Sequence, residues 1–210
     1  MFQDTYEEMV RFASKGDLEA DLQLARAEYL ERTGELFESD SAYDRRIAAF
    51  LEWYVLDRPV RAGTHQTPAK LYIDAVTPDL TTPEIQRLRG LTKTTLSLFE
   101  FRKAKKDHLD VVDLLTGYRH KIFERRKPAG LESKDILEAR LVPFDNKILF
   151  SDVFTVLPRD GRKAILRTAK RFRKTGGDNG RLDVVHRVTR LANRCDRYPH
   201  VSPEKIFRDL

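Results

Sequence analysis

The chain is short of cysteine. Its 210 residues hold one, Cys195, so no disulfide can close within it. It also lacks any apolar run near the ~20 residues that a membrane-spanning helix requires, and no membrane insertion is expected. Histidines are few and scattered, at His65, His108, His120, His186 and His200. Among them His186 and His200 share a short stretch with Cys195, but the spacings are not the paired short ones of structural zinc, so no metal is expected there. There is no G-x-S-x-G elbow and no H-E-x-x-H, which removes the common signatures of serine hydrolases and zinc proteases. Repeats and long low-complexity linkers are absent. The first ten residues, MFQDTYEEMV, are acidic and lack the basic-then-apolar pattern of a secretory leader. With the lone cysteine, that sets the expectation of a cytoplasmic protein.

What is abundant is charge. Charged residues make up 34% of the chain against 40% hydrophobic, and the net charge is +6. Such a chain is globular and long enough for one or two cores. The charge is distributed as a gradient. Residues 1–44 carry −8, residues 45–157 carry +5 and residues 158–210 carry +9. A gradient of this kind fits either a basic end that contacts an acidic partner or two ends that neutralise one another.

Hydrophobic periodicity divides the chain into three parts, 1–95 helical, 96–158 β-rich and 159–210 basic and helical. In the first, DTYEEMVRFASKG has Asp4 as a candidate cap and Gly16 as a stop, and the next helix stops at Gly34. Tyr43, Ile47, Phe50, Leu51 and Tyr54 fall at helical spacing before Pro59, predicting a core helix with Trp53 packed inside. Thr67-Pro68 and Thr82-Pro83 each predict a capped helix start. In the second part, LSLFEFRKA alternates, LLTG and FDNK are turn sequences, and about five strands fit with no room for crossover helices. The fold class expected is therefore α+β: N-terminal helices, a central small antiparallel β-barrel or curled sheet of about five strands, and C-terminal basic helices.

RRIAAFLEWYVLDRP, the Thr-Pro helix start, SLFEF, VVDLLTG and DILEARLVPF together resemble a domain of uncharacterised bacterial proteins, many of which also carry a SEC-C zinc motif. The resemblance covers roughly residues 40–158. It implies a fold and a bacterial setting but no catalytic residue. The Cys/His cluster of SEC-C itself is missing here, and the basic tail stands in its place.

The chemistry-bearing residues concentrate in that tail. Asp110 and Asp113 are three apart on a strand and so point to opposite faces, which argues against a shared acid–base role. TGGDNG lacks the G-K-[ST] of a phosphate loop and follows a helix, so it is expected to be an interhelical connection. RKAILRTAKRFRK, residues 162–174, contains seven Lys or Arg and no acid. As a helix it turns Ile165, Leu166, Ala169 and Phe172 inward and leaves Arg162, Lys163, Arg167, Lys170, Arg171, Arg173 and Lys174 outside. The following stretch has Val184, Val188, Leu191 and Cys195 on one stripe and adds Arg187, Arg190 and Arg194. These ten cations are the candidate binding residues. The expected function is a non-enzymatic binding or adaptor module that contacts an acidic protein surface or nucleic acid and needs no cofactor. Sequence-nonspecific nucleic-acid binding through the same helices is the alternative, and an enzyme of a type the motifs do not reveal is a third.

Overall fold

Glycines and Thr-Pro pairs set the helix boundaries of the first part, and strand alternation takes over where they stop. The structure, a computed structural model, describes residues 2–60, 65–123, 130–175 and 180–210. The chain divides into two compact units. The first comprises Met1–Glu31, Leu36–Thr94 and Val142–Asn146, the second Arg32–Glu35, Thr95–Leu141 and Lys147–Leu210.

The first unit is helical. Helix α1 (Phe2–Ala13) gives way to Gly16, whose φ of +59° suits glycine, and α2 (Leu18–Thr33) is followed by Gly34 at φ +93°. Because α1 already begins at Phe2, Asp4 lies within its first turn and not at the cap, where its carboxylate still complements the helix dipole. Helix α3 (Tyr43–Leu56) buries Phe50, Trp53 and Tyr54. The ring of Trp53 lies 5.3 Å from that of Tyr29, and Phe50 lies 5.6 Å from the same ring, so the expected aromatic core is present. Helix α4 (Pro68–Val76) is capped by Thr67, whose hydroxyl accepts from Lys70 N–H. Helix α5 (Thr82–Leu91) starts one residue earlier than expected. Its cap is Thr81 and not Thr82, because Glu84 reaches back 2.8 Å to Thr81 N–H and closes a capping box. Tyr72 on α4 donates a 2.7 Å hydrogen bond to Glu8 on α1, and burial followed by that carboxylate pushes its phenol up to about 12.

A buried ion cluster crosses this unit. Arg58 is 4% exposed; its Nη1 donates to Asp21 at 2.7 Å and its Nε to Glu28 at 2.9 Å. Tyr54 lies beside them, its hydroxyl bonded to the carbonyls of Ala13 and Leu18. Burial first, then the neighbouring Asp21 carboxylate, raises the Tyr54 pKa well above the ordinary phenol value.

The second unit is built on an antiparallel sheet of five strands, β1 (Thr95–Ala104), β2 (Leu109–Asp113), β3 (Arg119–Ile122), β4 (Ile136–Phe144) and β5 (Lys147–Val156). Their order is β3-β2-β1-β4-β5. The turns sit where the sequence places them. Gly117 has φ +83° between β2 and β3, and Asp145 and Asn146 both take positive φ between β4 and β5. The sheet is not closed into the barrel that was the first of the two forms expected. Strand β3 has only four residues, too few for a closing ladder, and just past it Phe123 N–H reaches Ile148 O at 2.8 Å. Alternation assigns one sheet face to Phe99, Phe101, Val111, Ile122, Leu137 and Phe150, which form one core. The opposite face contributes Leu98 and Ile136 to a second core shared with the C-terminal helices α6 (Arg162–Thr175), α7 (Arg181–Arg197) and α8 (Pro203–Ile206). Of TGGDNG, expected to be an interhelical connection, residues 176–179 lie outside the described residues.

Candidate functional site

Helix α6 is held to its unit by the inward face that its spacing predicts, with small differences. Ala164, Ile165, Thr168 and Ala169 are buried, while Leu166 and Phe172 pack partly buried at the edge of the same core. Burying Ile165 completely contributes about 2 kcal/mol. On α7 the inward residues are Val185, His186, Val188, Thr189, Leu191 and Ala192, with Val184 and Cys195 at the margin. Burial pushes the Cys195 thiol up, which makes it a poor nucleophile. His200 is exposed whereas His186 is 3% exposed. Among the described residues no group of three or more His, Cys, Asp or Glu could hold a metal ion. No helix of the described residues is long and apolar enough to cross a membrane.

The ten candidate cations fall into three groups. Arg162, Arg171 and Arg173 are tied to their own unit. Arg162 pairs with Glu100 of β1 at 2.5 Å and donates to Lys134 O; Arg171 donates to Leu210 O at 3.3 Å; Arg173 donates to Leu114 O at the β2–β3 turn. These bonds align α6 on the sheet. Lys163, Arg167, Lys170 and Lys174 form the second group. All four are exposed, and among the described residues no carboxylate lies within ion-pair distance of them. At i, i+4, i+7 and i+11 they run along one side of α6, a continuous cationic edge. Arg187, Arg190 and Arg194 are the third group, exposed along α7.

The two carboxylates weighed as a pair in the sequence each have their own partners. Asp113 is 2% exposed; its Oδ1 accepts from Ser97 Oγ and Leu115 N–H, each at 2.8 Å, and its Oδ2 from Arg181 at 3.3 Å. Asp110 faces the other way, 3.3 Å from His108 Nε2 and within 4 Å of Lys103 and Lys105.

A second cationic surface escaped the sequence reading. Residues of β1, β2 and β3 and of the β1–β2 connection surround a concavity of about 540 Å³ bordered by Arg102, Lys103, Lys105, Arg119 and Lys121, with Asp110 the one carboxylate among the lining residues. A β-bulge between Phe101 and Lys103 re-aims the chain at Arg102. The signal was present in RHKI, where Arg119 and Lys121 alternate with His120 and Ile122, so both cations share one face of β3. His120 also lines the concavity, and burial, partly offset by Asp113, holds its pKa below the ordinary imidazole value.

Comparison with known proteins yields a family but no function. None of the curated proteins and none of the solved structures matches the chain. Residues 25–181 match a family of unknown function designated DUF7986, well over half of the chain, and the protein therefore belongs to that family.

Proposed function

We propose that this protein is a non-enzymatic binding module of the bacterial cytoplasm, and that an acidic partner docks on the exposed cations of α6 and α7. The observation that carries this reading is the edge formed by Lys163, Arg167, Lys170 and Lys174, whose charges have no carboxylate partner among the described residues. A helix packed on its other side offers such charges at fixed spacing, so less freedom is lost on binding than for a disordered basic tail. Nucleic acid is the second reading, favoured by the additional cations on β1–β3.

The test is binding of labelled poly-glutamate and of labelled RNA across a salt series, for the wild type and for Arg167→Glu/Lys170→Glu/Lys174→Glu. These positions leave the structural contacts of Arg162, Arg171 and Arg173 intact. The wild type is expected to bind one of the probes with steep salt dependence, and the variant at least about tenfold more weakly. Absence of affinity for both probes at low salt, or equal binding by the variant, would refute the reading.

A further inference from the structure

We propose that the concavity on β1–β3 is a phosphodiester-binding groove that takes the backbone of a single-stranded nucleic acid, and that it continues onto α6 to make one binding track. This rests on the reading of α6 as a binding face and names its partner.

Charge complementarity comes first. Five cations border the groove against one carboxylate, Asp110, which His108, Lys103 and Lys105 already approach at 3.3, 3.9 and 3.8 Å. Arg119 and Lys121 have no carboxylate within ion-pair distance among the described residues. They share one face of a strand at two-residue spacing, about 7 Å apart along the chain, close to the repeat of successive phosphates in an extended single strand. Cations at that repeat hold a backbone without reading its sequence.

Continuity comes second. The buried carboxylate of Glu100 forms an ion pair at 2.8 Å with Arg102, which borders the groove, and accepts a hydrogen bond at 2.5 Å from Arg162, the first residue of α6. One carboxylate thus joins the groove to the start of the helix that bears Lys163, Arg167, Lys170 and Lys174. Cations thus stand on β3, on β1 and along α6.

Apolar surface comes third. Val111 and Val112 belong to the lining, and Tyr118, the residue before Arg119, is 71% exposed. An exposed ring one residue from Arg119 is available for the base stacking that single-stranded nucleic acids use and that an acidic peptide does not need.

The experiment measures fluorescence anisotropy of a labelled oligouridylate of about 20 nucleotides and of labelled poly-glutamate. It compares the wild type, Arg119→Glu/Lys121→Glu, its milder form Arg119→Gln/Lys121→Gln, and the α6 triple variant, each checked by circular dichroism. The groove variants are expected to bind oligouridylate about tenfold or more weakly, with a log–log salt slope reduced by about 1 to 2. If the reversal variant misfolds, the glutamine form carries the same expectation for the slope. Wild-type affinity in folded groove variants would overturn the groove proposal, while a loss confined to the α6 variant would leave the proposed function standing. Loss of poly-glutamate binding in the groove variants, with oligouridylate binding retained, would overturn the assignment to nucleic acid. No binding of either probe by the wild type would overturn both.

Discussion

Replacing Arg58 by methionine is expected to lower the unfolding free energy of the helical unit by about 3 kcal/mol. The guanidinium is almost fully enclosed and holds Asp21 and Glu28 on α2. Methionine keeps much of the volume but removes the cation that both carboxylates share. Asp21, whose side chain is 8% exposed, has little water to turn to. Desolvation therefore dominates over the modest loss of packing. Urea unfolding followed by the fluorescence of Trp53, the one tryptophan in the chain and a core residue of the same unit, reads the change locally. Asp21→Asn/Glu28→Gln/Arg58→Met should recover a substantial part of the loss, because the charges leave together. A single-variant loss below about 0.5 kcal/mol, the range of ordinary surface substitutions, would contradict the cluster's role.

Truncating Phe207 is expected to cost the second unit about 3 to 4 kcal/mol. Its ring is fully buried and lies over Gly161, where an added Cβ would stand 2.9 Å from a ring carbon. That distance is inside van der Waals contact, so Gly161→Ala alone should cost about 1 to 3 kcal/mol through overpacking. The two effects are coupled. In the Phe207→Ala background the alanine methyl at 161 enters the space the ring vacates, and its penalty should largely disappear. A thermal or urea double-mutant cycle measures this, and additive costs would show that the two residues do not share the space. The consequence reaches the candidate surface. Phe207 helps hold the last residues, and Leu210 O receives hydrogen bonds from Thr168 and Arg171 on α6. Loosening this corner loosens the helix that presents the cations.

Local signals carried most of the architecture. Gly16, Gly34 and Gly117 took the positive φ that glycine alone accepts readily, and the Asp145-Asn146 turn formed between two β-rich arms. Where capping is decided by a reciprocal contact, the sequence was ambiguous by one residue, as Thr81 in place of Thr82 shows. Closure of the sheet could not be read, because it depends on how many residues of β3 pair, and RHKI is equally at home at an edge or in a seam. Arg58 and the buried Glu138 and Arg140 of β4 were unreadable for another reason. A charged residue is assigned outward by composition, and only tertiary partners, such as the Thr189 hydroxyl that donates to Glu138 at 2.8 Å, reverse that.

The candidate site was readable to a similar degree. The run from Arg162 to Lys174 identified a packed helix with cations outside, and its stripe was correct at Ile165 and Ala169. What composition did not separate is which cations brace the fold and which remain available. Arg162, Arg171 and Arg173 look the same in sequence as Arg167, Lys170 and Lys174, yet the first three reach Glu100 and the carbonyls of Lys134, Leu210 and Leu114. The cations of β1 and β3 were overlooked because they are dispersed in sequence. The register that sets Arg119 against Val112 and Lys121 against Asp110 is what gathers them.

The claim that one cationic track on the second unit binds an acidic partner is tested most directly by lysine footprinting. The protein would be acetylated briefly with and without saturating oligouridylate, and each lysine quantified by mass spectrometry. Lys163, Lys170 and Lys174 on α6 and Lys103, Lys105 and Lys121 at the groove, all exposed, are predicted to be protected, while the exposed Lys15 and Lys70 of the first unit keep their reactivity. Uniform protection of all lysines, or protection absent from both α6 and the groove, would contradict the account.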